Sequence, residues 1–219
     1  MSTLTTAPLA PLLSRLFTEA AASTEKLRQQ RAKAPPDANS LGAKSPDYLA
    51  YYTQVKEYHL AVSPQTGTLL YMLARSSGAR TAVEFGTSFG ISTLHIAAAL
   101  KDNGGGRVIT TEFEPSKIAH ARNNLRAANL HELVEIREGD ALQTLARDVP
   151  QIDLVLLDGA KPLYLKVLDL LEPHLRTGTM IVADNADWCP EYLQRVRAPA
   201  NGYLSVPFGG DVEVSMRSV

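Results

Sequence analysis

Two apolar runs in this chain each stop abruptly at oxygen-bearing side chains. The first is Asp153-Leu-Val-Leu-Leu-Asp158-Gly-Ala-Lys161, and the second ends Val182-Ala183-Asp184-Asn185. Runs of Leu and Val predict strands buried in a parallel sheet. Ligands of such sheets bind at the carboxyl ends of the strands, so Asp158, Asp184 and Asn185 are expected at one crevice. Two carboxylates and an amide carbonyl are hard donors that suit Mg²⁺, or another divalent cation such as Ca²⁺ or Mn²⁺, rather than zinc. Lys161 lies three residues past the first carboxylate and can face the same crevice. Taken singly, an Asp at a strand end is an ordinary helix cap and Lys161 an ordinary surface lysine. The four together favour a metal site with a base beside it.

A second group precedes it. Val83-Glu84-Phe85-Gly86-Thr87-Ser88-Phe89-Gly90 reads as a strand that turns into a helix. Glycine lets backbone approach a ligand closely, and a helix N-terminus offers free N–H groups to an anion. The spacing Gly-x-x-x-Gly is not the Gly-x-Gly-x-x-Gly of dinucleotide enzymes. Glu112 closes the next strand, where a carboxylate can accept from both hydroxyls of a ribose. Glu138-Gly139-Asp140-Ala141 closes the third, where Asp140 and the backbone could read an adenine edge. Glu112 or Asp140 alone would be explained as a helix-start residue. Signals at three successive strand ends point instead to a nucleoside.

The elements that must position these residues alternate. Strands are expected at Thr81–Phe85, Arg107–Glu112, Leu133–Arg137, Ile152–Leu157 and Thr179–Ala183. Helices are expected at 90–101, 115–128, 140–147, 162–172 and 189–197. Tyr203–Pro207 and Val212–Met216 flank Phe-Gly-Gly-Asp as an antiparallel hairpin at the sheet edge. Alternating β and α elements imply an α/β fold, a mostly parallel sheet with helices on both faces. Upstream, Leu9, Leu12, Leu13, Leu16, Phe17 and Ala20 form one stripe on a helix reaching about residue 30, packed on its own core or on a second copy. Residues 33–46 read as a linker, 47–60 as a Tyr-rich helix, and Ser63-Pro64 as an N-cap with Pro at the first helical position.

The chain has 219 residues and a net charge of −1, which suits one α/β domain and argues against bulk attraction to nucleic acid. Its single cysteine, Cys189, excludes an intrachain disulfide framework and reads as a small buried hydrophobe. No stretch approaches the ~20 apolar residues of a membrane span, and no basic-then-apolar leader is visible. A cytoplasmic protein without membrane partners is expected.

Val-Glu-Phe-Gly-Thr-Ser-Phe-Gly-Ile-Ser-Thr-Leu, Thr-Glu-Phe-Glu-Pro, Glu-Gly-Asp-Ala, Leu-Leu-Asp-Gly-Ala-Lys and Ala-Asp-Asn, in that order and spacing, resemble the class I S-adenosylmethionine-dependent O-methyltransferases. The resemblance is to the cation-dependent group that includes the catechol and caffeoyl-CoA enzymes, and covers about residues 60–217. It implies a Rossmann-like methyltransferase fold, seven-stranded and mostly parallel, with an antiparallel C-terminal strand. On this division residues 1–46 form an N-terminal helix and linker, a cap or dimer contact, and 47–219 the methyltransferase domain. The resemblance also implies a homodimer. Carried over by motif, Glu84 and Gly86, with Thr87, Ser88 and Gly90 of the same turn, line the methionine end of S-adenosylmethionine. Ser92 and the backbone at Val62 and Ser63 hold its carboxylate, Glu112 its ribose, and Asp140 with Ala141 its adenine. Asp158, Asp184 and Asn185 bind the cation, Asp158 also bordering the cofactor. Lys161 falls on the catalytic lysine, with Asp158 as its catalytic partner.

Two departures stand out. Ala160 occupies a position where the family often has an acidic or aromatic residue, which implies a wider acceptor pocket. The segment from Asn185 to the hairpin is short. Trp188, Tyr192, Tyr48 and Phe208 are candidates for an aromatic acceptor wall, although aromatics more often pack cores. The five histidines show no metal-ligand spacing.

The expected reaction is transfer of a methyl from a sulfonium to a hydroxyl of a small catechol-like or vicinal dihydroxy acceptor. Lys161 takes the proton, for which its pKa must fall from about 10.4. The alternatives are a tRNA hydroxyuridine methyltransferase, which near-neutral charge disfavours, and a non-catalytic S-adenosylmethionine-binding protein, which would need no metal ligands.

Overall fold

The computed structural model describes residues 1–33 and 48–219. Most of the expected linker, and the first residue of the expected Tyr-rich helix, lie outside the described residues. Fifteen principal elements follow in order among those described: α1 (Leu9–Lys33), α2 (Tyr48–Gln54), α3 (Pro64–Ser76), β1 (Thr81–Phe85), α4 (Ile91–Asp102), β2 (Arg107–Glu112), α5 (Pro115–Ala127), β3 (Val134–Glu138), α6 (Ala141–Thr144), β4 (Ile152–Leu157), α7 (Tyr164–Leu171), β5 (Leu175–Ala183), α8 (Pro190–Arg197), β6 (Tyr203–Phe208) and β7 (Val212–Arg217).

The strands form one sheet in the order β3-β2-β1-β4-β5-β7-β6. β3 through β5 pair in parallel, and β7 pairs antiparallel with both β5 and β6. The hairpin therefore does not simply extend the edge in chain order. Its second strand lies inside the sheet and its first strand, β6, forms the edge. Chain order within a hairpin does not reveal which strand docks on β5, because that choice is a long-range pairing.

Alternation along the strands divides the core in two. Ala82, Val108, Leu154, Leu156 and Val182 face a cluster containing α1, α3 and α4. Val83, Ile109, Val155, Leu157 and Ile181 face the opposite cluster, with Tyr164, Val167 and Leu171 of α7 and Tyr192 and Val196 of α8. α4 is buried from Ile91 to Leu100, as expected of a helix apolar on every side. Its outer side is covered by α3 and by the Leu9, Leu12, Leu13 and Leu16 stripe of α1, all in the same cluster. The amphipathic stripe is thus used within the chain.

Several boundaries differ from expectation. The Tyr-rich helix ends at Gln54 rather than near residue 60, and α6 is a single turn. β5 begins four residues before Thr179, because Leu175 pairs with Ile152 before an irregularity after which Met180 pairs with Leu154. Ser63 caps α3 as its sequence predicts, its Oγ accepting from the Thr66 amide at 3.0 Å.

Candidate active site

The carboxyl ends of β1, β2, β3, β4 and β5 border one cavity of about 360 Å³, closed on the far side by α1 and α2. Of the residues singled out from the sequence, Gly86, Ser88, Glu112, Asp140, Ala141, Asp158, Lys161, Asp184 and Asn185 line it. Thr87 and Ser92 line a small recess that shares Gly86, Ser88 and Asp158 with it. Gly90 is set back as the left-handed residue that starts α4. Val62 and Ser63 reach neither space. Ser63 is spent on the α3 cap, and Leu60 and Ala61 line both spaces in their stead.

The β1 turn can lie so close to the β4 end because residue 86 is glycine. Its φ is +105°, and a Cβ there would meet the Asp158 carbonyl oxygen at 2.6 Å. Glu112 is fixed by three backbone donors. Its Oε2 accepts from the Ser88 amide at 2.9 Å, and its Oε1 accepts from the Phe113 and Glu114 amides, each at 3.0 Å. A carboxylate held this way is a preset acceptor for hydroxyl donors. Asp140 both lines the cavity and caps α6, its Oδ1 accepting from the Leu142 amide at 2.9 Å.

Glu84 does not line the cavity. It is fully buried in β1, its Oε2 accepting from Thr93 Oγ1 at 2.5 Å and Thr110 Oγ1 at 2.6 Å. Its other oxygen has no hydrogen-bond partner among the described residues. Loss of solvent pushes its pKa up to about 7, against the opposing pull of these hydroxyls.

The β4 and β5 ends hold the most strongly charged part of the site. Lys161 Nζ, with 5% of its side chain exposed, donates to Tyr164 Oη at 2.7 Å, to the Asp184 carbonyl at 3.1 Å and to Asp158 Oδ1 at 3.3 Å. Tyr164 is one turn along from Lys161 and wholly buried. Its hydroxyl lies 2.8 Å from both the Leu157 and Asp184 carbonyls. Burial raises the Asp158 pKa, with Lys161 opposing. Burial and then the neighbouring Asp158 charge raise that of Asp184. The Asp158 carboxyl alone bonds Lys161, and charge on both crowded carboxyls is disfavoured in a way that a cation would relieve. Asn185 adopts a left-handed conformation and donates from Nδ2 to Asp211 Oδ2 at 3.2 Å, which leaves the amide oxygen for a ligand. The donor set fits a hard dication. Among the described residues no three His, Cys, Asp or Glu side chains cluster as a metal site. The candidate set consists of two carboxylates and an amide.

Of the expected aromatic wall, Tyr48 and Trp188 line the cavity. Tyr192 instead packs edge-on against Tyr164, and Phe208 packs on the opposite core. Cys189 is buried, its Sγ 3.5 Å from the Lys161 carbonyl. Cavity residues not anticipated from the sequence include Arg31, Tyr51, Tyr52 and Lys117. Tyr52 Oη donates to the Gly159 carbonyl at 3.3 Å, and the Arg31 guanidinium donates to Tyr51 Oη. The Tyr cluster at 48–58 was a visible signal for Tyr51 and Tyr52. Lys117 had none beyond its place in the first turn of a helix.

A family model described as a methyltransferase domain matches residues 83–186. The chain is 38% identical over 130 residues to a catechol O-methyltransferase of Niastella koreensis, a match covering 58% of each protein. It is 31% identical over 172 residues to catechol O-methyltransferase B of Danio rerio, covering 74% of this chain and 64% of that one. The chain therefore spans less than two thirds of the length of these relatives. Among solved structures, it is similar to the O-methyltransferase TomG of Streptomyces achromogenes in complex with S-adenosylmethionine. That likeness has a TM-score of 0.66 at 25% identity, and covers 83% of this chain and 94% of that one.

Proposed function

We propose that the chain is a class I S-adenosylmethionine-dependent O-methyltransferase of the catechol group, a reading supported by its methyltransferase-domain match and its catechol O-methyltransferase relatives, and that it methylates one hydroxyl of a small vicinal dihydroxy acceptor with the help of a divalent cation. The observation that carries this reading is the meeting of Lys161, Asp158 and Asp184 beside Glu112 and Asp140 in one cavity. A pure nucleoside binder has no use for a lysine set among paired carboxyls.

S-adenosylmethionine supplies an activated methyl, and Glu112, Asp140 and the Gly86 turn are the groups that would hold its nucleoside. Asp158, Asp184 and Asn185 would hold Mg²⁺ or a similar cation, which when bound acidifies and orients the acceptor. Lys161 would receive the hydroxyl proton at Nζ from its neutral form, having first lost one proton. The acceptors Tyr164 Oη, Asp184 O and Asp158 Oδ1 hold that nitrogen in place and stabilise the ammonium that forms. Tyr52, Leu163 and Trp188 wall the cavity near these groups and limit access of water. Alignment of oxygen, methyl and sulfur supplies much of the acceleration. Ala160, small and buried beneath this end, leaves room for an aromatic acceptor.

The test is methyl transfer from S-adenosylmethionine to catechol compared with phenol and with the mono-O-methylated product. Transfer to catechol alone is expected, because the reading requires two adjacent oxygens. Equal transfer to phenol, or transfer to none of them with cofactor bound, would remove the acceptor assignment.

A further inference from the structure

Lys117 has no role in the mechanism above, yet it is only 4% exposed and lines the cavity. It lies in the first turn of α5, which follows β2 directly. A buried ammonium is costly unless acceptors surround it. Among the described residues its Nζ makes no hydrogen bond or ion pair, although Glu112, Asp158 and Glu114 attract it through space. Its neighbour Glu112 is tied to the backbone by both oxygens, so that carboxylate cannot swing over to pair with it.

The two side chains are chemically complementary. Glu112 accepts only, and Lys117 donates only. A vicinal diol is both donor and acceptor. When its two O–H groups point to a carboxylate, the oxygen lone pairs remain and need a donor in a site that excludes water. Glu112 supplies the first half of that set and Lys117 the second.

We propose that Lys117 is a cofactor-positioning residue that donates to the ribose hydroxyl oxygens of the nucleoside bound by Glu112. The proposal rests on the S-adenosylmethionine reading of the cavity. It adds a donor to a subsite otherwise made of acceptors, and it places the cation away from the acceptor end, where Lys161 already serves.

Calorimetric titration of the full chain with S-adenosylhomocysteine and with its 3′-deoxyribose analogue tests it, in wild type, Lys117→Met and Lys117→Gln. Thermal midpoints of the free proteins check that each variant folds. Loss of a hydrogen bond from a charged donor predicts that Lys117→Met binds S-adenosylhomocysteine about tenfold or more weakly. Lys117→Gln, which keeps a donor, should recover part of that loss. The wild type should also discriminate against the deoxy analogue more strongly than Lys117→Met does, because the missing hydroxyl and the missing amine remove one interaction. Unchanged affinity in Lys117→Met overturns the proposal. So does an equal loss for both ligands, which would mark Lys117 as structural only. Failure of the wild type to bind S-adenosylhomocysteine at all would instead overturn the nucleoside reading itself, and the proposal with it.

Discussion

Lys161 is held by three acceptors within 3.3 Å, so its nitrogen is fixed before any acceptor arrives. Lys161→Met should lower the rate of methyl transfer by about 10²–10⁴ while leaving S-adenosylhomocysteine affinity nearly unchanged. Single-turnover rates beside a binding titration separate the two. A parallel collapse of affinity would mean that the lysine supports the cavity rather than the chemistry. Tyr164→Phe removes one acceptor from Lys161 and one hydroxyl from the Leu157 and Asp184 carbonyls, which keep the Asp184 amide and Lys161 Nζ as donors. A destabilisation of about 1 kcal/mol is expected, together with a slower transfer step. Stability within about 0.5 kcal/mol of wild type would show that the hydroxyl network carries little. At this scale the sequence was informative wherever a residue ends a strand. Glu112, Asp140, Asp158, Asp184 and Asn185 are brought to one cavity because parallel strands share a carboxyl edge. It was uninformative for Lys117, Arg31 and Tyr164, whose relevance depends on which side of a helix or turn faces the cavity. Glu84 shows the reverse case. Its motif position suggests the cavity, but the pleat turns it into the core.

The elements meet most tightly where β1 ends against β4. Gly86→Ala would set a Cβ 2.6 Å from the Asp158 carbonyl oxygen at a backbone φ of +105°. The β1 turn must then shift away from Asp158. Cofactor affinity and thermal midpoint should both fall, read by titration and by thermal unfolding. An alanine variant that bound S-adenosylhomocysteine like wild type would show that the close approach is dispensable. The alternation of strands and helices from residue 80 onward was legible because hydrophobic period and turn residues are local signals. The inner placement of β7, the early start of β5 and the short α2 were not. Each is decided by a partner far along the chain: β5 for β7, Ile152 for Leu175, and the cavity wall for the Tyr segment.

Over the whole molecule, one sheet is sandwiched between two cores, and its opposite edge from the cavity is tied by Asp153. That carboxylate accepts from the Arg80 and Thr81 amides at 2.7 and 2.9 Å and from Arg176 at 2.6 and 2.8 Å. Burial pushes its pKa up, but these donors outweigh burial and the net shift is downward. A carboxyl whose folded pKa is depressed adds stability above its unfolded pKa, and that stability is lost as pH falls through the folded value. The chain should therefore lose stability below about pH 4, and Asp153→Asn should flatten that limb in urea unfolding followed against pH. An unchanged acid limb would place the effect elsewhere. No helix among the described residues is long and apolar enough to cross a membrane. α1 contributes its apolar stripe to the same core as the sheet, so the N-terminal segment is built into the fold that carries the site.

The proposed role of Asp158, Asp184 and Asn185 is to hold a cation that the methyl transfer needs. Its most direct test is transfer of labelled methyl from S-adenosylmethionine to catechol by wild type and Asp158→Ala, each with Mg²⁺ and with excess EDTA. Transfer by wild type with Mg²⁺, its loss in EDTA and recovery on restoring the metal are expected, with no transfer by Asp158→Ala under either condition while cofactor still binds. Undiminished transfer by wild type in EDTA would contradict it.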